Sequence, residues 1–313
     1  MSNNHRVYRS IRNATKQFYP NKPEWNLARQ SNPLAELATV IAQSNRRQLP
    51  AIAWKFPVST KPESQVTKYC CRIQNELTDL EIHYLPFVRE FLAALADIRT
   101  LVLVMDDREV GHNCPALMLS VVYKGRTLPI AWIVAKGSHG NYPAANHAAL
   151  VHKAHQLIPA GADVIFLDDM DLDSTPLQTT IKAYGWAYVC RAAEDVILQE
   201  DGVEFSFKDL MVTPGDCLSL PQVLLAQQGY RPVHAIARWQ KGCQEPLYLI
   251  TNLELAEEAC YWYARRLRIE TFFSDEKSRG FHIHKSHLSD PDRLAHLMIA
   301  ACLTYIWIIY LGV

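Results

Sequence analysis

The sequence predicts an α/β fold in which helices flank a mixed β-sheet. Hydrophobic runs typical of strands begin at Leu101 and then alternate with segments that have the apolar spacing of helices. Three strands followed by two repeats of helix and strand indicate a mixed sheet with helices on its faces. The chain has 313 residues, of which 49% are hydrophobic and 20% charged, so it can bury a substantial core. This composition excludes disordered and collagen-like proteins.

The elements follow one another in a clear order. An amphipathic helix is predicted at Tyr84–Ile98, before the first strand. The predicted strands are Leu101–Met105, Ala116–Tyr123, Thr127–Ala135, Asp163–Leu167 and Trp186–Arg191. The predicted later helices are Ala144–Ile158, Thr175–Tyr184, Glu257–Lys277 and Asp290–Leu311.

Changes in residue composition and apolar spacing divide the chain into three predicted parts. Residues 1–98 form a basic helical region, and residues 99–191 together with 257–313 form the α/β core. Residues 192–256 alternate short β-like pieces with Gly and Pro turns, which predicts a β-rich insertion in that core.

The whole chain has no net charge, but its positive and negative residues are distributed unevenly along the sequence. Residues 1–75 contain 12 Lys and Arg against 3 Asp and Glu, and the remainder contains 20 against 29. A basic N-terminal region beside an acidic core suits a protein that holds a polyanion with one part and metal ions with the other. A merely solvated basic surface would give the same composition.

Cysteine usage and hydropathy predict a cytoplasmic protein. The eight cysteines form no Cys-x-x-Cys pair, and the N-terminus has no apolar signal segment, so we expect a reducing compartment. The most apolar stretch, Leu294–Val313, is nearly long enough to cross a bilayer, but it contains His296 and follows Arg293. We therefore predict a buried core helix and no membrane partner.

Two pairs of carboxylates follow hydrophobic strands. Asp106 and Asp107 come directly after LVLVM, and Asp168 and Asp169 come directly after VIFL. Side chains at the carboxyl ends of neighbouring strands converge in space, so the two pairs can share a metal ion. The alternative is that these acids only cap strands or the helices that follow.

A third carboxylate lies among cations on the predicted helix Glu257–Lys277. Tyr263, Arg266, Glu270 and Lys277 are spaced 3, 4 and 7 residues apart and fall on one helical face. A carboxylate between Arg and Lys suits a phosphodiester site, because it ligates metal while the cations hold phosphate. An ion-pair face would explain Arg266 with Glu270 but neither of the other two residues.

These residues make the chain resemble the DDE transposases of insertion sequence family four. The signature of that family is Tyr-x2-Arg-x3-Glu-x6-Lys, which Tyr263, Arg266, Glu270 and Lys277 match without a gap. LYLITNL (Leu247–Leu253) and LDDMDLDS (Leu167–Ser174) are similar to further segments of the family. The resemblance extends from about residue 38 to residue 313 and aligns the first two catalytic acids with Asp106 and Asp169.

The resemblance implies a ribonuclease H-like catalytic core in which Asp106, Asp169 and Glu270 bind two Mg²⁺ ions, with Mn²⁺ able to substitute. It implies cleavage at transposon ends through a hairpin, and strand transfer into target DNA. Arg266, Lys277 and Tyr263 would contact DNA near the transposon end. The implied partners are the terminal inverted repeats, target DNA and a second protomer, in a nucleoid-associated bacterial protein.

The basic N-terminal region supplies further predicted DNA contacts. These are Arg46, Arg47, Lys55, Lys68 and Arg72. Trp239, in the β-rich insertion, is a candidate to hold a base that leaves the DNA stack, although a packed or turn tryptophan fits its context better.

Two other functions remain open from the sequence. Arg108 stands where the family has Thr or Ser, and Met170-Asp171 replaces its Arg-Gly, which favours a catalytically impaired or domesticated DNA-binding protein as the alternative. A hydrophobic strand followed by Asp169-x-Asp171 also fits a phosphohydrolase with an aspartyl nucleophile. A phosphohydrolase of this kind would not explain why Tyr263, Arg266, Glu270 and Lys277 share one helical face.

Overall fold

A computed structural model provides the fold of the chain. It describes residues 79–137, 142–169, 175–226, 229, 231–266 and 288–311, and in the N-terminal region residues 8–13, 34–39, 41, 64, 67, 68, 70, 71 and 74. Of Asp169 only the backbone is described.

The described residues contain one ten-stranded sheet whose order is β3-β2-β1-β4-β5-β10-β9-β8-β6-β7. Two pairs of neighbours, β1 with β4 and β4 with β5, are parallel, and the other pairs are antiparallel. The strands are β1 Leu101–Gly111, β2 Cys114–Tyr123, β3 Arg126–Val134, β4 Val164–Asp169, β5 Ala187–Arg191, β6 Ile197–Glu200, β7 Val203–Ser206, β8 Cys217–Leu225, β9 Arg231–Arg238 and β10 Leu247–Thr251. The predicted mixed sheet is confirmed.

Six helices of the described residues accompany the sheet. They are α1 Leu80–His83, α2 Leu85–Ala96, α3 Ala144–Leu157, α4 Thr175–Ala183, α5 Ala256–Tyr263 and α6 Pro291–Leu311, and a 3₁₀ helix spans Phe207–Leu210. α3 and α6 both pack on β3, and α5 packs on β4 and β5. The helices therefore cover the part of the sheet that contains the parallel strands.

The sheet has two halves of different character. We call β3-β2-β1-β4-β5 the catalytic half and β10-β9-β8-β6-β7 the extension. Leu101–Met105 and Cys114–Val121 are continuously buried in the catalytic half, as expected of strands covered on both faces. The extension corresponds to the predicted β-rich insertion, but its strands continue the same sheet because β10 pairs with β5.

The C-terminal helix approaches the end of β1 closely at a glycine. A Cβ atom on Gly111 would lie 2.3 Å from Leu294 Cδ1 and 2.9 Å from the carbonyl oxygen of Leu288. The neighbouring His112 amide donates to that same carbonyl, at 3.1 Å. A residue without a side chain is therefore required where the start of α6 meets β1.

α6 is long and apolar enough to cross a membrane, and it is the one such helix among the described residues. Within Pro291–Ile309, 61% of the apolar window is buried inside the protein. The Thr304 hydroxyl contacts the carbonyl oxygens of Ala300, at 2.6 Å, and Ala38, at 3.1 Å, so α6 also contacts the N-terminal region. This packing is that of the core helix predicted from the sequence.

The described parts of the N-terminal region pack on this same core. Leu34, Leu37 and Ile41 belong to the main hydrophobic cluster, and Ile11 packs with Trp307 of α6. All residues described within 8–13 and 34–41 are helical, in agreement with the predicted helical character. The division at residue 98 into a separate region stays a prediction.

Candidate functional site

Asp106 lies in the middle of β1 and not after its end. The sequence placed the end of this strand at Met105, because Asp106, Asp107 and Arg108 break the hydrophobic run. β1 instead extends to Gly111, since its antiparallel pairing with β2 continues through Asp106↔Met118 and Arg108↔Ala116. The carboxylate is therefore held on a rigid ladder.

The parallel pairing of β1 with β4 brings together the two strands that carry the predicted acids. The last pair of this ladder is Val104↔Leu167, and Asp106 and Asp169 each lie two residues farther along their strands. Asp168 is in register with Cys190 and is 3% exposed, within a strand that is buried from Val164 to Asp168.

Two arginines flank the Asp106 carboxylate. Arg266 Nη2 lies 3.7 Å from Asp106 Oδ1, and Arg108 Nε lies 3.7 Å from Oδ2. The backbone amide of Asp107 also donates to Oδ1, at 3.0 Å. Oδ2 is buried and has no hydrogen-bond partner among the described residues.

Opposing effects act on the ionisation of this acid. Burial raises the pKa of Asp106, and the cations of Arg266 and Arg108 partly oppose that rise. The Asp107 amide lowers the pKa as well, while the Asp107 carboxylate raises it. Burial is the largest of these effects, so the pKa of Asp106 is raised overall.

The turn after α5 brings Arg266 to the site, and Tyr263, the last residue of α5, is 8% exposed. The expected helix Glu257–Lys277 is confirmed up to Tyr263 but is wrong in its continuity, because the chain turns at residues 264 and 265, and residues 267–277 lie outside the described residues. The Arg265 amide bonds to the Trp262 carbonyl at 2.9 Å, a tighter turn than that of an α-helix. Arg266 is 6% exposed and reaches Asp106 from this turn.

Several predicted site residues lie outside the described residues. They are Glu270, Lys277, Arg46, Arg47, Lys55 and Arg72. Lys68 is described, and its ammonium group forms an ion pair with Glu36. No group of three potential metal ligands occurs within the described ranges, which contain neither Glu270 nor the side chain of Asp169. The predicted triad and DNA contacts therefore stay predictions.

Sequence analysis assigned no role at the site to Arg108. It lies two residues after Asp106 on the same strand, so both side chains project from one face of the sheet. The sequence shows that Arg108 lies two residues after Asp106. This spacing indicates a shared face of the sheet only if the strand continues through both residues, as β1 does. Arg108 also differs from the Thr or Ser expected there from the resemblance.

A second concave region lies between the extension and α5. This cleft of about 660 Å³ is lined by Arg238, Trp239, Lys241, Cys260 and Tyr261, among others. Trp239 donates its indole N–H to the carbonyl oxygen of Cys243 at 3.0 Å, so it closes its own turn as well as lining the cleft. The turn role that the sequence favoured for Trp239 is thus observed.

The chain matches one family of known proteins in sequence and is similar in fold to solved structures. The profile of one family, described as "Transposase DDE domain", matches residues 103–307. No curated protein matches the chain in sequence. Among solved structures, the piggyBac transposase synaptic complex with hairpin DNA has a similar fold, with a TM-score of 0.53 and 8% identity over 99% of this chain and 73% of the other.

Weaker structural similarities involve nucleases. Endonuclease V of Ciona intestinalis, in complex with an inosine-containing 24mer DNA, has a TM-score of 0.33 and 13% identity, over 57% of this chain and 84% of that one. Human ENDOV has a TM-score of 0.28 and 18% identity, over 68% of this chain and 86% of that one. Similarities of this size carry no argument about the site.

Proposed function

Because this chain belongs to the transposase DDE domain family, we propose that it is the transposase of an insertion sequence of family four. As a DDE transposase it is an enzyme that acts on DNA. The narrower assignment rests on Tyr263, Arg266, Glu270 and Lys277, whose spacing matches the signature of family four.

The observation that carries the proposal is the arrangement around Asp106. This carboxylate lies on β1, which pairs with β4 in parallel up to two residues before Asp106 and Asp169, and Arg266 approaches it from the turn after α5. Segments far apart in sequence thus bring an acid and a cation together next to the strand that carries Asp169. We propose that Glu270, four residues after Arg266, completes the catalytic triad and that the acid of β4 is Asp169.

Divalent cations suit the donors of this site. Asp106 Oδ2 is buried and has no hydrogen-bond partner among the described residues, so a carboxylate oxygen remains for ligation. Hard oxygen ligands suit Mg²⁺, and we propose that Asp106, Asp169 and Glu270 hold two such ions, which Mn²⁺ can replace. Bound there, the ions would activate the attacking oxygen and stabilise the leaving oxygen of a phosphodiester.

The cations and aromatic residues of the site have separate proposed roles. Arg266 and Lys277 hold phosphates near the transposon end, and Tyr263 packs against or hydrogen-bonds the same strand. The N-terminal cations of the predicted DNA contacts hold the duplex elsewhere by charge. Loss of Lys277 would therefore weaken DNA binding in a salt-dependent way, most at low salt, whereas loss of an acid would spare binding.

The proposed reaction pathway, assembly and location of the protein follow from the resemblance to family four. Cleavage would pass through a hairpin at the transposon end, with strand transfer into target DNA, and the hairpin DNA bound by the piggyBac transposase supports this step. We propose a homodimer on paired inverted repeats, working at the bacterial nucleoid. The β3-β2-β1-β4-β5 order, with its parallel β1 and β4, supports a ribonuclease H-like core over residues 99–191 and 257–313.

DNA cleavage by purified protein tests this function. A labelled fragment that carries the ends flanking the gene is incubated with Mg²⁺ or Mn²⁺, and products are resolved on a denaturing gel. We expect nicks or hairpins at one defined position, reduced by roughly 10³-fold or more in Asp106→Asn and Glu270→Gln, because loss of a metal ligand removes several kcal/mol of transition-state stabilisation.

A neighbouring aspartate provides the control for these variants. Asp107→Asn makes the same chemical change one residue away, on the other face of β1, and should retain cleavage. Retarded DNA without metal-dependent cleavage in wild type and variants alike would contradict the enzyme and leave the domesticated DNA-binding protein. Cleavage of small phosphate esters in place of DNA would favour the phosphohydrolase.

A further inference from the structure

Arg108 forms the second ion pair of Asp106. Its Nε atom lies 3.7 Å from Asp106 Oδ2, whereas Arg266 Nη2 lies 3.7 Å from Oδ1. Each carboxylate oxygen therefore faces its own guanidinium group. The Asp106 side chain is 13% exposed, so these two cations offset the charge of a carboxylate that is largely withdrawn from water.

The two arginines are held differently. The Arg266 side chain is 8% exposed and lies in the turn that follows α5, so it is a fixed part of the site. The Arg108 side chain is 36% exposed, so part of it already lies in solvent. Arg108 can therefore leave the carboxylate for solvent at a lower cost than Arg266.

A metal ion on Asp106 needs the oxygen that Arg108 faces. Oδ2 is the carboxylate oxygen without a hydrogen bond among the described residues, whereas Oδ1 accepts from the Asp107 amide. A divalent cation at Oδ2 and a guanidinium 3.7 Å from the same atom would repel one another.

We propose that Arg108 is a resident counter-ion of Asp106 which a divalent cation must displace, so that Arg108 sets the metal concentration this enzyme requires. It is a positioning residue that holds the carboxylate oriented before the metal binds. The inference rests on the proposed function, because it takes Asp106 as a metal ligand.

Metal binding to the DNA-free protein tests the inference directly. Mn²⁺ is titrated into wild type, Arg108→Thr, Arg108→Lys and Asp106→Asn, and the free ion is measured by its electron paramagnetic resonance signal. We expect a roughly tenfold lower dissociation constant in Arg108→Thr, since repulsion by a nearby partly exposed cation is lost. Arg108→Lys keeps a charge there and should lie between wild type and Arg108→Thr.

Arg99→Thr is the matched control for net charge. Arg99 precedes the same strand and lies over the Tyr123 ring, with Arg99 Cζ 5.0 Å from its centroid. At about 3.3 Å per residue along an extended strand, it is roughly 20 Å from Asp106. Its loss should leave the dissociation constant of Mn²⁺ unchanged.

The outcomes separate this inference from the function on which it rests. If Asp106→Asn binds Mn²⁺ as tightly as wild type does, Asp106 is not a ligand and the proposed metal site itself fails. If Asp106→Asn loses binding but Arg108→Thr binds as wild type or more weakly, only the role of Arg108 is overturned. An equal gain in Arg99→Thr would also overturn it, because general charge would then explain the effect.

Discussion

The catalytic half and the extension belong to one sheet, yet they are built in different ways. β2 is buried over eight consecutive residues, whereas β8 exposes most of its length. Helices cover the catalytic half, and its parallel strands form continuous apolar runs, as sheets buried on both faces do. The candidate site therefore lies in the half of the sheet whose strands are buried most, while the extension exposes more of its surface.

Two polar contacts, one from each half, differ in how far apart their residues are in the sequence. In the catalytic half, Asp106 meets Arg266, which lies 160 positions later in the chain. In the extension, Asp209 accepts from the amide and the hydroxyl of Ser206, only three residues away. Long-range contacts depend on the whole fold, so the catalytic half is the part that a local change disturbs most.

Truncation of a buried aromatic residue should give the largest contrast in stability. Phe166 on β4 is fully buried, and Phe166→Ala is expected to lower the free energy of unfolding by about 3–5 kcal/mol, because a cavity remains in a covered sheet. Val203 on β7 is 65% exposed, so Val203→Ala should change it by less than about 0.5 kcal/mol. Chemical denaturation measures both. Similar losses in the two variants would contradict the division into halves.

Alkaline titration should affect the catalytic half. The Tyr142 hydroxyl donates to the carbonyl oxygens of Pro115 and Ile133, at 2.6 and 3.0 Å, and burial raises the pKa of Tyr142 to about 12. Since this pKa lies above the unfolded value near 10, the contribution of Tyr142 to stability is complete below about pH 10 and is lost toward pH 12.

The variant Tyr142→Phe removes this contribution. Its deficit in unfolding free energy, measured by chemical denaturation, should be about 1 kcal/mol at pH 9 and should shrink as the pH rises above about 10. Tyr123→Phe changes a partly exposed tyrosine of β2 in the same way. A deficit of Tyr142→Phe that stays constant with pH would contradict the role of the two hydrogen bonds.

Acid titration should have the smallest effect, and it should act on the extension. The amide and then the hydroxyl of Ser206 hold the pKa of Asp209 below its usual value. A lowered pKa means that the contribution of Asp209 is present above the unfolded pKa and is lost as the pH falls through the folded one. Asp209→Asn should therefore be slightly less stable than wild type at neutral pH, and the difference should vanish in acid.

Asp201→Asn, in a nearby turn of the extension, makes the same change of charge without removing this capping contact. Denaturation curves between about pH 6 and pH 3 compare the two variants. If both show the same pH dependence, net charge and not the Ser206 contacts would be responsible.

Local patterns in the sequence predicted most elements of the fold. The helix predicted at Ala144–Ile158 is observed at Ala144–Leu157, and the hairpin strands agree within two residues at each end. Strong apolar periodicity explains this success, because it reports which residues must face the core. The β-rich character of residues 192–256 was predicted in the same way.

The errors arose where long-range pairing overrides local pattern. β1 continues through four polar residues, Asp106 to Glu109, because β2 supplies its hydrogen bonds, which no local signal reveals. α5 ends at Tyr263 although helical spacing continues, since the chain there turns to bring Arg266 to Asp106. Both errors lie at the candidate site. The backbone conformation at functional sites often departs from the secondary structure that local sequence favours.

The sequence by itself determined the class of the protein, because residue types and their spacing specify strands, helices and the acids and cations of the signature. Only the tertiary structure decided that Asp106 lies within a strand, next to the strand that carries Asp169 and between Arg266 and Arg108. The physical reason is that chemical identity is local, whereas the neighbours of a charged group depend on pairing between segments far apart in the chain.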